Sequence, residues 1–328
     1  MLYNFLSYKK SSFQNIIVIS LTGIDNIGMS IKNLGIRVIP LNMQTLKGFL
    51  FAIPRLIYII YRYQPSSVIS WMYHANLIAF FTTIFSRCHL IWNIRCGLTD
   101  IKKWPILRLV VLFFCKVFSS KVDKIIFNSK RSLNEHVNYG FSEQKCLVVY
   151  NGFNSINPTL SQNKILRKSM SINDESFLIG SFGRNVPVKR MSDLLFVCAY
   201  LRSNNIPVEI LYIGRFFDNK EFTDLIIEKK LEKYVHILNE NLSITPYYNL
   251  LDAFCLCSES EGFPNVVGEA VFSKVPVFTT DISDMKEFLQ DWQVKDVSDI
   301  LGLSEAASII YNLSNIEKEL LIKKQLKS

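Results

Sequence analysis

Short apolar runs rich in Val and Ile recur along the chain, each followed by a longer stretch with the spacing of a helix. That alternation builds βαβ units and parallel sheets. In the first half strands are predicted near 15–21 (NIIVISL), 36–41 (IRVIPL), 67–72 (SVISWM), 89–95 (HLIWNIR), 123–127 (DKIIF) and 146–150 (CLVVY). The second half repeats the rhythm near 177–182 (FLIGSF), 208–213 (VEILYI), 235–238, 253–257 (AFCLC) and 276–279 (PVFT). Continuous apolar strands of this kind are covered by helices on both faces.

A chain of 328 residues exceeds one ordinary core and fits two domains. The stretch 151–176 is rich in Asn, Ser and Lys and poor in aromatics, the composition of a junction. We therefore expect an N-terminal domain over 1–155, a linker over 156–176 and a C-terminal domain over 177–328. In open parallel sheets ligands bind beyond the carboxyl ends of the strands, so the loops after these strands are the ones to search.

The formal charge of +9 favours anionic partners: phosphates, acidic lipid surfaces or nucleic acid. Nucleic acid has only this charge in its favour, with no reader motif, and is not expected as a partner. The seven cysteines are scattered, mostly in apolar runs, with no CxxC pair, so reduced thiols and a cytoplasmic location are expected. The opening MLYNFLSYKK lacks the basic start and apolar core of a secretory signal. The greasiest stretches, 46–63 and 106–118, are interrupted by Pro54, Arg55, Arg108 and Lys116 and fall short of the ~20 apolar residues of a membrane span. Each reads as a core helix of an α/β domain or as an amphipathic helix able to lie on an anionic bilayer at the inner face of the membrane.

Two patterns carry chemistry. The first is SESEGFPNVVGEAVF, residues 258–272, which sets Glu261 and Glu269 eight positions apart around a Gly-Phe-Pro-Asn turn. Pro264 suits a first helical position, so a helix is predicted to start near Phe263–Asn265. Its unpaired N–H groups and the close backbone approach permitted by Gly262 make an anion site. Acids beside such a site fit the hydroxyls of the same ligand: Glu269 a ribose diol, Glu261 a sugar. The alternative is that both acids only favour the positive end of the helix dipole.

The second pattern is GSFGRNVPVKRMSDLL, residues 180–195, with Arg184, Lys189 and Arg190 between a buried strand and a helix beginning near Ser192. A planar guanidinium and a compact ammonium on one loop suit a diphosphate; a solvated basic loop is the plainer reading. No spacing of His, Cys, Asp or Glu suggests a metal site, and no metal or cofactor is expected. His74 follows the SWMY strand, at a carboxyl end, where a ligand contact and a structural role are both open. His136 and His236 read as structural.

On these residues the chain resembles the family 4, or group 1, retaining glycosyltransferases of the GT-B fold. That family pairs a Gly-Arg…Lys loop, matched by Arg184 and Lys189, with a Glu-x7-Glu motif, matched by Glu261 and Glu269 around EGFPNVVGEA. VVYNGFN (148–154), IIFNSK (125–130), SWMYHANLIAF (70–80) and IWNIRCG (91–97) are similar to its N-terminal elements, in the branch that builds bacterial surface polysaccharides. The resemblance implies two Rossmann-like domains facing each other across a cleft. It also implies transfer of a sugar from a nucleotide sugar, commonly UDP-linked, to a hydroxyl of a lipid-linked or polysaccharide acceptor, with retention and without metal. Arg184 and Lys189 then hold the diphosphate, Glu269 the ribose, and Glu261 the donor sugar, with Gly262, Phe263, Pro264, Asn265 and Val266 closing around it. His74 and Arg95 fall on the acceptor side; many relatives carry a histidine where Arg95 stands, and an arginine cannot serve as a base.

The chain departs from the family at both ends. MLYNFLSYK reads as the tail of the first helix, so the N-terminal domain is expected to lack its first strand, and a last helix returning to that domain is also expected to be missing. Ser283 stands where relatives carry glycine. A shortened, inactive nucleotide-sugar-binding protein is therefore one alternative, and a UDP-sugar epimerase of the same architecture another. A nicotinamide dehydrogenase is not expected, because no GxGxxG follows a predicted strand.

Overall fold

The computed structural model describes residues 2–8, 15–99, 101–153, 160–239 and 244–326. The chain forms two compact units, one of residues 1–128 and 132–151 and the other of 129–131 and 152–328.

The first unit runs α1 (Leu2–Tyr8), β1 (Ile17–Ser20), α2 (Asn26–Asn33), β2 (Arg37–Pro40), α3 (Leu46–Tyr63), β3 (Ser67–Trp71), α4 (Met72–Thr83), β4 (His89–Ile94), α5 (Ile106–Phe118), β5 (Lys124–Phe127), α6 (Lys130–Tyr139) and β6 (Cys146–Val148). The second continues with α7 (Leu160–Ser169), β7 (Phe177–Phe182), α8 (Asp193–Ser203), β8 (Val208–Ile213), α9 (Lys220–Glu228), β9 (Val235–Leu238), α10 (Thr245–Tyr248), β10 (Ala253–Leu256), α11 (Asn265–Phe272), β11 (Val277–Thr280), α12 (Met285–Phe288), β12 (Val294–Lys295), α13 (Ile300–Asn312) and α14 (Asn315–Gln325).

In the second unit six strands form one parallel sheet in the order β12-β11-β10-β7-β8-β9. Its first strand in sequence, β7, lies in the middle and is wholly buried. Alternation along β7 divides its side chains between two cores. Phe177 and Ile179 join α8 and α13 on one face, while Leu178 and Phe182 join α10 and α11 on the other.

The first unit is divided. Strands β1 and β2 pair in one parallel sheet, and β3-β4-β5-β6 in another. In the order of the second unit, β1 and β2 play the parts of β8 and β9, and β3 the part of β10. No described strand plays the part of β7. Ahead of β1, the segment MLYNFLSYK carries α1 over Leu2–Tyr8. Helices α1 and α2 pack on one side of β1 and β2, and α3 on the other, where Ile19 of β1 and Ile78 of α4 meet the same apolar cluster around Leu41, Ala52, Leu56 and Ile60.

One segment differs from its sequence reading. The predicted linker 156–176 contains α7, and the second unit already begins at residue 152. Leu166 and Met170 pack against the core beneath β7 and β10. Arg167 donates to the Leu250 carbonyl at 2.7 Å and to Asp252 Oδ2 at 2.8 Å. The helix is hidden in the sequence because its few apolar positions are diluted by Ser, Asn, Gln and Lys.

Candidate functional site

Strands β7, β10 and β11 are sheet neighbours running the same way, so the loops at their carboxyl ends emerge side by side. After β7 the chain passes through Gly183, at φ 151°, whose N–H donates to the Ile213 carbonyl at 2.8 Å. A Cβ on Gly214 would stand 1.7 Å from the Gly183 carbonyl oxygen, so the next strand's loop can lie this close only as glycine. The loop then presents Arg184 to solvent; no hydrogen bond or ion pair among the described residues holds its side chain. A single 3-10 turn, Pro187–Lys189, brings Lys189 inward.

There Lys189 Nζ forms an ion pair with Glu261 Oε1, the two side chains being only 20% and 16% exposed. Ser258 Oγ donates to the same carboxylate oxygen at 3.0 Å. The backbone joins the two loops as well, with the Glu259 N–H donating to the Val188 carbonyl at 2.8 Å. The predicted basic loop and the first predicted acid are thus parts of one site. An ammonium has three N–H donors, so the pairing leaves others for a ligand. Arg190 is drawn elsewhere: from φ 47° it grips Asp193 at 2.8 and 3.2 Å, and that hydrogen bond pushes its pKa up.

Pro264 caps α11, which begins at Asn265, one residue after the first helical position the sequence assigns to proline. Glu269 lies in its second turn, where Tyr248 OH donates to Oε2 at 2.9 Å and to the Val266 carbonyl at 3.2 Å. Burial raises the Glu269 pKa, against the lowering effect of the Tyr248 hydrogen bond. Gly262 and Pro264 are buried, Phe263 and Val266 half-buried, and Asn265 exposed. Phe263 packs between Phe153 and Phe288, at centroid distances of 6.1 and 5.7 Å. Gly268 matters here too: a Cβ would lie 2.2 Å from Phe153 Cζ.

The loop after β11 completes the setting. Thr280 Oγ1 donates to the Ser258 carbonyl at 2.5 Å, and Ser283 Oγ to the Gly262 carbonyl at 2.5 Å. Sequence reasoning did not find Tyr248 or Ser258. Ser258 stands three residues before Glu261, a spacing that could have signalled it; Tyr248 stands 21 residues before Glu269 with no local signal at all.

The other two candidates belong to the first unit. His74 is exposed on the first turn of α4, which starts directly from β3 through Met72 at φ 70°. A non-glycine residue there is strained. Arg95 follows β4 and donates to Asn93 Oδ1 at 3.3 Å and to Asn151 Oδ1, and burial lowers its pKa. His136 is a core residue: it contacts Tyr73 OH at 2.6 Å and the Ser132 carbonyl at 2.7 Å, and burial depresses it to about 4. Among the described residues no group of three His, Cys, Asp or Glu is placed to hold a metal ion.

The parallel sheets of the two units match the fold of GT-B glycosyltransferase structures. HepE from Anabaena, solved with UDP, superposes with a TM-score of 0.83 at 18% identity, over 98% of this chain and 89% of HepE. Sucrose-phosphate synthase from Thermosynechococcus elongatus gives 0.78 at 13% identity, over 98% and 85%. More particularly, residues 162–319 match the family model described as glycosyl transferases group 1. Among curated relatives, the capsular polysaccharide biosynthesis glycosyltransferase CapM of Staphylococcus aureus is 26% identical over 245 residues, 70% of this chain. The O-antigen biosynthesis glycosyltransferase WclY of Escherichia coli is 26% identical over 174 residues, 52% of this chain. The matches span 62% of CapM and 46% of WclY.

Proposed function

We propose that the protein transfers a sugar from a UDP-linked donor to a hydroxyl of a lipid-linked or polysaccharide acceptor in bacterial surface polysaccharide synthesis, retaining the anomeric configuration. The observation that carries this reading is the Lys189–Glu261 pair, which joins the Gly-Arg…Lys loop to the Glu-x7-Glu motif. The group 1 match over these motifs and the polysaccharide enzymes among the relatives support it.

On this reading breaking the anomeric C–O bond leaves its electron pair on the diphosphate. Arg184 and Lys189 stabilise that charge, a task a metal ion performs elsewhere, so none is required. Glu269, with one oxygen engaged by Tyr248, offers the other to the ribose diol. Glu261 binds the donor sugar, and the backbone from Gly262 to Val266 closes around it. His74 and Arg95 contact the acceptor.

Calorimetric titration of UDP and several UDP-sugars tests this, with wild type and Glu269→Ala and a chelator throughout. Binding by the wild type that weakens at least tenfold in the variant supports the donor site; no binding by folded wild type overturns it. A second reading, donor binding without transfer, draws on the divided sheet of the first unit. Donor binding with no release of UDP across a panel of acceptors would favour it.

A further inference from the structure

Two helices of the first unit are apolar on both sides. In α3, Ala52, Leu56, Ile59 and Ile60 are buried, while Leu50, Phe51, Pro54, Ile57, Tyr58 and Tyr61 face solvent, Tyr61 at 77% exposure. In α5, Val111, Leu112 and Cys115 are buried, while Ile106, Leu107, Val110, Phe113, Phe114 and Val117 are exposed. Both outer stripes follow the same steps of i, i+1, i+4, i+7, i+8 and i+11, which is one face of a helix.

Helix α4 packs against both and adds Phe81, with Ile84 and a fully exposed Phe85 just beyond its end. The surface is continuous from α4 to α5, since Phe81 meets Phe118 edge-on at 5.4 Å and Phe114 stacks on Phe118 at 6.2 Å. A contiguous apolar face on this scale needs a partner.

Charge selects which one. Between residues 26 and 122 stand twelve Lys and Arg and one acid, Asp100. Lys47 and Arg62 mark the two ends of α3, Arg87 follows α4, and Lys102 and Lys121 flank α5; all five are exposed. A second copy of this face would set like charge against like. An anionic bilayer accepts both features: aromatic and aliphatic side chains enter the acyl boundary while the cations stay among the headgroups. No helix among the described residues is long and apolar enough to cross a membrane, so the contact is in the plane.

We propose that the outer face of α3, α4 and α5 docks on the surface of an anionic lipid bilayer. The inference rests on this face alone and holds whatever the second unit binds.

Flotation of the purified chain with vesicles of phosphatidylcholine, alone or with 40% phosphatidylglycerol, tests it. Wild type is expected to float with the anionic vesicles and at least tenfold less with the neutral ones. Leu107→Ser with Val110→Ser, and separately Phe51→Ser with Tyr58→Ser, should each weaken flotation about tenfold or more, with an unchanged circular dichroism spectrum. Lys47→Glu with Arg62→Glu should do the same on anionic vesicles only. Three results overturn the proposal: no flotation of the wild type, flotation unaffected by any variant, or vesicle-independent dimers that the serine variants dissolve. The last identifies a second copy as the occupant.

Discussion

The hydroxyl of Ser283 donates to the carbonyl oxygen of Gly262 at 2.5 Å, and it does so from a backbone φ of 51°. The left-handed conformation costs a side-chain-bearing residue about 1 kcal/mol, a cost glycine would not carry. The serine offsets that cost by tying down the loop that carries Glu261. Ser283→Ala should lose about 1–2 kcal/mol, since the strain stays and a buried carbonyl loses its partner. Ser283→Gly should be nearer the wild type in stability, yet both should weaken UDP binding severalfold. Denaturant melts and calorimetry on the pair distinguish strain from anchoring.

Lys189 and Glu261 form the ion pair on which the candidate site turns, and neither can be removed without stranding the other. Lys189→Ala should cost about 2 kcal/mol, because Glu261 stays mostly buried with only Ser258 to satisfy it. Lys189→Met combined with Glu261→Gln should recover most of that loss. If Lys189 stabilises the leaving group as proposed, donor turnover should stay roughly 100-fold down or more in the double variant, which lacks that cation. Recovery of turnover along with stability would show the pair to be structural only.

Tyr248 holds Glu269 through one carboxylate oxygen, and burial raises that carboxyl's pKa. On the proposed reading, Glu269 accepts from the ribose diol in its ionised form. UDP affinity should therefore fall on acidification at a higher pH than an ordinary glutamate gives. Tyr248→Phe removes a donor that favours the carboxylate, so the acid limb should move further up and affinity at neutral pH drop about fivefold. Titrations of UDP between pH 5 and 7.5 read both effects; a coincident acid limb in the two proteins would contradict them.

His136 is buried neutral beside Tyr73, with its pKa depressed to about 4. In the unfolded chain the imidazole takes up a proton near pH 6.5, and the folded chain does not until about pH 4. The unfolded state binds more protons throughout that window, so stability is full above it and is lost as pH falls. The loss reaches about 3 kcal/mol below pH 4. Urea melts of wild type and His136→Gln at pH 7 and pH 5 should show a smaller acid penalty in the variant.

Among the described residues, strands β1 and β3 each pair on one side only, whereas β7 pairs on both. Amide hydrogen exchange should thus be faster by orders of magnitude in Ile17–Ser20 and Ser67–Trp71 than in Phe177–Phe182. Equal protection in the three strands would show that the divided sheet is closed in solution.

Much of this was legible in the residues alone because parallel α/β architecture writes itself in one dimension. Val- and Ile-rich runs need helices over both faces, so the strands and the two-unit organisation could be read from local pattern. The Glu-x7-Glu stretch and the basic loop were legible for the same reason, as each is a short segment at a strand's carboxyl end. Other features required the folded sheet. Sequence could not join Lys189 to Glu261, because that contact follows from β7 and β10 being neighbours although 72 residues separate the two side chains. It could not find Tyr248 behind Glu269, nor show that the helix hidden in the polar junction packs against the second core. Nor could it choose between the core and surface readings of residues 46–63 and 106–118; the structure answers with both. One stripe of each helix is buried and another faces solvent, because a helix lying on a sheet can cover its apolar residues on one side only.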